Sequence, residues 1–276
     1  MTSDTPDLST FEARIAVLGA GMMGGAVLSG LLAADLSAES VIVTNIDEDA
    51  LRPWAERGVQ TSDDNVAATR DADIVFLAVK PHVAADLLDE IAAELSEDTL
   101  VVSLAAGVTL STLEGHAGAG VPVVRVMPNT PALVGEGMFV LTPGEHCGKD
   151  RLEAVEQLLN ACGRTEVVPE RLQDAATGLS GSGPAYLFYV ADALIEGGVL
   201  EGLPRPMATR LVAQTLFGSA AMVRQGDEPP ATLREQVTSP GGSTAAALRV
   251  LDAGAVRHHL GAAVSASTKR SAELGA

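Results

Sequence analysis

The chain has 276 residues, 47% of them hydrophobic but only 3% aromatic, so it can bury a sizeable core made mainly of Ala, Val, Leu and Ile. Lys and Arg total 18 against 36 Asp and Glu, a formal net charge of −18. A surface this acidic repels phosphate backbones and anionic lipid, which excludes nucleic acid and membrane surfaces as expected partners.

Residues 1–14 are polar and acidic, without a basic stretch leading into an apolar run, so no signal peptide is expected and the location is expected to be cytoplasmic. Residues 15–34 carry no charge and are long enough to span a bilayer, but five glycines and a β-branched start favour a buried strand–turn–helix. Residues 14–18 (RIAVL) read as a strand and 22–33 as a helix. A second strand follows at 41–44 (VIVT), then a second helix at 48–57. Further strands are expected at 74–79, 100–103 and 121–126. Strands alternating with helices predict βαβ units and a parallel sheet, and their continuous apolar runs predict cover on both faces.

Late strands at 138–141 and 166–168 flank a helix at 150–161. After Pro169 the strand signal stops, which places a domain boundary near 170: residues 1–170 dinucleotide-binding, 171–276 helical. Helices are expected at 184–196, 205–224, 232–237, 244–252 and 256–273, separated by breakers such as Gly197-Gly198 and Pro229-Pro230. Residues 184–225 carry only six charges: Asp192, Glu196, Glu201, Arg205, Arg210 and Arg224. Helices that are apolar nearly all round need burial on more than one side, which predicts a homodimer through this half.

Gly19-Ala20-Gly21-Met22-Met23-Gly24 is GxGxxG, placed directly after a strand and at the start of a helix. Gly19 permits the tight turn, Gly21 lets backbone approach a pyrophosphate, and Gly24 lets helix and strand pack closely. The end of the second strand reads Thr44-Asn45-Ile46, with no acid before Asp47 and no adjacent arginine. NADPH is the expected cofactor, with NADH as the alternative. Lys80, in Lys80-Pro81 after the strand at 74–79, falls where open α/β sheets bind ligands, and Ala105-Ala106-Gly107 leaves room for a nicotinamide. Near the C-terminus, residues 236–244 (QVTSPGGST) form a Ser/Thr/Gly-rich turn opening a helix, a place where backbone N–H groups can hold a carboxylate. Ser180-Gly181-Ser182-Gly183-Pro184 is a second loop opening a helix, but it misses the GxSxG pattern of serine hydrolases. The two cysteines, Cys147 and Cys162, and the five histidines match no metal or disulfide pattern, so no metal is expected.

Over residues 14–274 the sequence resembles the pyrroline-5-carboxylate reductases, most specifically in LSGSGPAY (179–186) and TSPGGST (238–244), with support from AVKP (78–81), VSLAAG (102–107) and MPNTPA (127–132). The resemblance implies an α/β fold: an N-terminal Rossmann-type dinucleotide-binding domain followed by an all-α C-terminal dimerisation domain. It also implies a homodimer, with higher assembly of dimers in many members, that reduces 1-pyrroline-5-carboxylate to proline with NAD(P)H. It assigns Leu18, Gly19, Ala20, Gly21, Met22, Met23, Asn45, Asn65, Ala78, Val79, Lys80, Pro81, Leu104, Ala105, Ala106 and Glu170 to the cofactor, alongside Gly24 from the glycine motif. It assigns Ser239, Gly242, Ser243 and Thr244 to the substrate, with Gln236 where relatives can carry Asn, and Thr244 as the catalytic hydroxyl. A β-hydroxyacid dehydrogenase is the enzymatic alternative, but that chemistry wants a lysine base in the helical half, and Lys269 is the only lysine after Lys149. A dinucleotide sensor without turnover is the non-enzymatic alternative.

Overall fold

A computed structural model describes residues 6–275 and divides the chain into two compact units, residues 1–181 with 267–276 and residues 182–266. The first unit opens with β1 (Ile15–Leu18), α1 (Met22–Ala33), β2 (Val41–Thr44), α2 (Glu48–Ala55), β3 (Gln60–Ser62) and α3 (Asn65–Arg70). It continues through β4 (Ile74–Leu77), α4 (Pro81–Ile91), β5 (Leu100–Ser103), α5 (Leu110–Ala117) and β6 (Val123–Met127). β7 (Gly137–Pro143), α6 (Lys149–Asn160), β8 (Gly163–Val167) and the short α7 (Gln173–Ala176) complete it. The eight strands form one sheet in the order β3-β2-β1-β4-β5-β6-β7-β8. The chain order reverses between β1 and β4, the switch point where open sheets bind ligands beyond the strands' carboxyl ends.

Alternate strand residues feed two separate cores. Ile15, Val17, Ile74 and Phe76 point into one, against α1 and Trp54 of α2. Ala16, Leu18, Val75 and Leu77 point into the other, with Leu87, Leu88 and Ile91 of α4 and Leu113 of α5. This two-sided burial is why the strands carry no polar alternation.

The sheet is not wholly parallel, as the sequence had suggested: β7 runs antiparallel to β6, with Val126 opposite Leu141. The nine residues joining these strands hold only a short 3-10 turn (Thr130–Val134), too little for a helical crossover. β8 then pairs parallel to β7 after α6. Residues 15–34 form β1 and α1, and among the described residues no helix is long and apolar enough to cross a membrane. After α7 the chain widens into a π-helical turn, Thr177–Gly181, rather than a loop.

The second unit is helical: α8 (Gly183–Leu200), α9 (Arg205–Gln225), α10 (Pro230–Gln236), α11 (Ser243–Ala253) and most of α12 (Val256–Leu274). Gly197-Gly198, expected to end α8, lies inside it. A Cβ on Gly198 would stand 3.4 Å from Ala208 Cβ and 3.5 Å from Leu203, so this glycine lets α9 approach closely rather than breaking the helix. Of residues 182–266 only Ala208 is buried. Phe188, Leu200, Phe217 and Val250 are well exposed, and Tyr189 is 80% exposed. A five-helix unit with almost no interior of its own cannot offset the entropy of ordering its chain.

Candidate active site

The loops assigned to the cofactor by resemblance lie at the carboxyl ends of β1, β2, β4 and β5. Backbone bonds tie the four loops together: Gly19 N–H to Thr44 O (3.0 Å), Ala78 N–H to Leu18 O (2.9 Å) and Leu104 N–H to Leu77 O (3.0 Å). Gly19 has φ +109°, and a Cβ there would lie 2.7 Å from Ala78 O. Only glycine combines that backbone with that approach. A Cβ on Gly24 would press into the carbonyl of Gly19 and stand 3.0 Å from Ala78 Cβ, so Gly24 sets the helix–strand distance. Gly21 differs: a Cβ there meets nothing within 4 Å. It is the N-cap of α1, and no side chain caps that helix. The open space beside uncapped N–H groups is the fit a pyrophosphate requires.

Leu18 and Leu104 are buried under this surface, Ala20, Met23, Ala78 and Val79 are half-buried, and Met22, Lys80, Pro81 and Ala106 are exposed around it. Ala105 is buried, its N–H donating to the buried Ser103 hydroxyl (3.3 Å). Lys80 is the N-cap residue of α4 with Pro81 in the first turn, so the lysine stands at the strand end where it was expected. Three residues assigned by resemblance have local partners. The Asn45 carboxamide oxygen accepts from Asp47 N–H (3.0 Å). Asn65 accepts from the buried Thr44 hydroxyl (2.6 Å) and donates to Glu90 (3.2 Å). Glu170 accepts from Leu110 N–H (2.7 Å) and from Arg125 (2.8 Å), whose side chain is only 8% exposed. Glu170 thus ties β6 to the start of α5.

Sequence reasoning passed over Thr44, Ser103, Arg125 and Asn129 as holding residues. Asn129 receives Met138 N–H (2.8 Å) and donates to Ser180 O (3.1 Å), which joins the MPNTPA and SGSGP segments within the first unit. Their membership in these motifs was visible, but their partners lie up to 51 positions away.

The segment assigned to the substrate by resemblance lies in the second unit. Thr238 N–H donates to Glu235 O (2.9 Å) and Gly242 N–H to Ser239 O (3.0 Å), which folds residues 238–242 into a tight turn ahead of α11. Gly241 has φ +71°, and a Cβ on Gly242 would collide with the Ser239 hydroxyl. Gly242 is the N-cap of α11, no side chain caps the helix, and its first intrahelical bond is Ala246 N–H to Gly242 O. The N–H groups of Ser243 and Thr244 therefore lie in the uncapped first turn, with Thr244 half-buried and Ser239 and Ser243 exposed. Gln236 closes α10 and donates to Glu228 (2.7 Å).

Among the described residues no cluster of His, Cys, Asp and Glu could hold a metal ion, and both cysteines are free. Burial pushes the Cys162 thiol up to about 12, and burial also raises that of Cys147. Neither is a ready nucleophile.

A parallel-rich sheet with a glycine turn at its switch point and a helical second unit defines a two-part NAD(P)-dependent oxidoreductase. Residues 14–107 match the model of NADP oxidoreductases, coenzyme F420-dependent, and residues 170–274 match that of pyrroline-5-carboxylate reductase dimerisation. A pyrroline-5-carboxylate reductase of Corynebacterium melassecola is 44% identical over 265 residues, 95% of this chain and 98% of its own. The solved Coxiella burnetii pyrroline-5-carboxylate reductase superposes with a TM-score of 0.92 at 36% identity, covering 96% of this chain and 99% of its own. The Plasmodium falciparum pyrroline carboxylate reductase, solved with NADP bound, gives 0.86 at 32% identity, again over 96% and 99%. This chain belongs to the pyrroline-5-carboxylate reductase family.

Proposed function

We propose that the protein reduces the carbon–nitrogen double bond of 1-pyrroline-5-carboxylate to give proline, the last step of proline biosynthesis. The observation that carries this reading is the uncapped start of α11 within TSPGGST, in a chain related over nearly its whole length to reductases of that name. The substrate is an anionic ring with one basic nitrogen. The N–H groups of Ser243 and Thr244, with the Ser239 hydroxyl, hold its carboxylate; Gly242, its own N–H bonded to Ser239 O, shapes the turn, and Gln236 borders it from the end of α10. The Thr244 hydroxyl donates to the ring nitrogen and relays the proton that the amine product keeps. Protonation makes the imine carbon electrophilic, so no strong acid is required of the chain. The dinucleotide, when bound, supplies the hydride. Leu18 to Gly24 cradle its pyrophosphate, Asn45 and Asn65 border its adenosine end, Ala78 to Pro81 line its middle, and Leu104 to Ala106 leave space for its ring. Glu170 acts at a distance, holding α5 and β6 so that the loop after β5 keeps its shape.

The protein works as a homodimer through α8 and α9, whose apolar residues Leu194 and Leu211, with Leu203 of the turn between them, line an open groove. A partner supplies the interior that the second unit lacks.

The test follows loss of reduced-nicotinamide absorbance with pyrroline-5-carboxylate, and gain of that absorbance with hydroxyacids and the oxidised cofactor. Turnover of the imine alone is expected. For Thr244→Ala, a fall in kcat of about 10²-fold or more is expected, the usual size of a lost proton-transfer group, with nucleotide affinity retained. Full turnover at unchanged KM would remove Thr244 from the mechanism.

A further inference from the structure

We propose that the end of β2 makes the protein prefer NADH to NADPH. The inference rests on the reading above and departs from the expectation of NADPH that the missing acid at Thr44-Asn45-Ile46 suggested. In an open sheet with this order, the adenosine ribose lies beyond the second strand, and an NADP 2′-phosphate needs a cation or free N–H groups there.

The nearby arginines are engaged elsewhere, and the helix starts already carry carboxylate caps. The two helices that start beside the end of β2 are already capped by carboxylates: Asp47 accepts from Asp49 N–H (3.0 Å) at α2, and Asp64 accepts from Ala67 N–H (2.9 Å) at α3. These loops are neighbours, because Asn45 N–H donates to Ser62 O (3.2 Å). The positive ends of both helices therefore face their own negative charges, with Glu48, Asp49 and Asp63 beside them. The nearest cation in sequence, Arg52, is ion-paired to Asp49, and Arg57 lies over the Trp54 ring at 5.2 Å. Ile46, directly before the α2 cap, is 96% exposed and can neither pair with a phosphate nor gain from solvent. A ribose diol fares differently. It carries no charge and donates hydrogen bonds, and a capping carboxylate with one oxygen engaged keeps capacity to accept more.

The experiment measures equilibrium binding of NADH and NADPH to the full chain in its assembled state, by nicotinamide fluorescence. AMP and adenosine 2′,5′-bisphosphate serve as displacing fragments. NADH is expected to bind at least about tenfold tighter at low salt, with the gap narrowing as salt screens the aspartates. Ile46→Arg, at a fully exposed position, should move the NADPH-to-NADH affinity ratio about tenfold toward NADPH by supplying a forked donor. Asp47→Asn keeps a capping oxygen while removing the charge, and should move the ratio the same way. NADPH binding as tight as NADH in the parent protein overturns the proposal, as does an unmoved ratio in both variants. Binding of neither nucleotide overturns this proposal and the functional reading together. Selective NADH binding without imine reduction sinks only the functional reading.

Discussion

Alanine at Gly21 and alanine at Gly24 separate two demands that the same turn meets. At Gly24 the new methyl presses into the Gly19 carbonyl and reaches 3.0 Å from Ala78 Cβ, with backbone on one side and a packed loop on the other. Neither neighbour is the end of a flexible side chain, so α1 must retreat from β1, where carbon contacts settle near ~3.5–4.0 Å. Overpacking of this kind costs roughly 1–3 kcal/mol. At Gly21 the methyl meets nothing, and the N-cap backbone (φ −72°, ψ −170°) suits any residue. Its effect on stability should stay within about 0.5 kcal/mol, because the small cap penalty and the stiffer unfolded chain offset each other. The methyl instead fills the open space that the proposed function assigns to the pyrophosphate. Thermal unfolding and a nucleotide titration, run on both variants, read the two effects apart. Gly24→Ala should melt several degrees lower, and Gly21→Ala should melt like the parent yet lose about tenfold or more in dinucleotide affinity. Parent-like affinity in a normally folded Gly21→Ala protein would refute the assignment of that space.

Four further outcomes follow from other parts of the fold. Glu170→Ala strands the buried Arg125 guanidinium and frees Leu110 N–H; because Glu170 is itself partly exposed, the loss should be about 2 kcal/mol, below the ~3–5 kcal/mol of a fully buried pair, read by denaturant unfolding. Cys162 should resist a thiol reagent at pH 8 in the folded protein, Cys147 should react slowly, and both should react after unfolding. Above about pH 9 the unfolded chain gives up the Cys162 proton while the folded one keeps it to about 12, so stability should fall as pH rises through that window; a rising melting temperature there would contradict the burial of this thiol. Leu211→Glu puts a charge in the apolar groove of α8 and α9 and should convert the oligomer to monomer by light scattering, with the parent assembly persisting if α9 lies outside the interface.

Much of the first unit was legible residue by residue. The β-branched runs at 15–18, 41–44, 74–77 and 100–103 announced four adjacent strands, and GxGxxG between strand and helix announced the dinucleotide turn. These signals are local: they depend on backbone preference and on which side chains can be buried. The apolar stretches of α8 and α9 likewise announced helices in need of a partner, and the structure leaves them nearly without an interior.

Composition and motif order thus determined the fold class, the glycine turn and the uncapped helix start after TSPGG, because each rests on a few consecutive residues. Tertiary structure alone decided the reversed strand β7, the helix running through Gly197-Gly198 and the Glu170–Arg125 tie. In each of these the outcome depends on a partner set by folding, and on which polar group wins it when the chain leaves water.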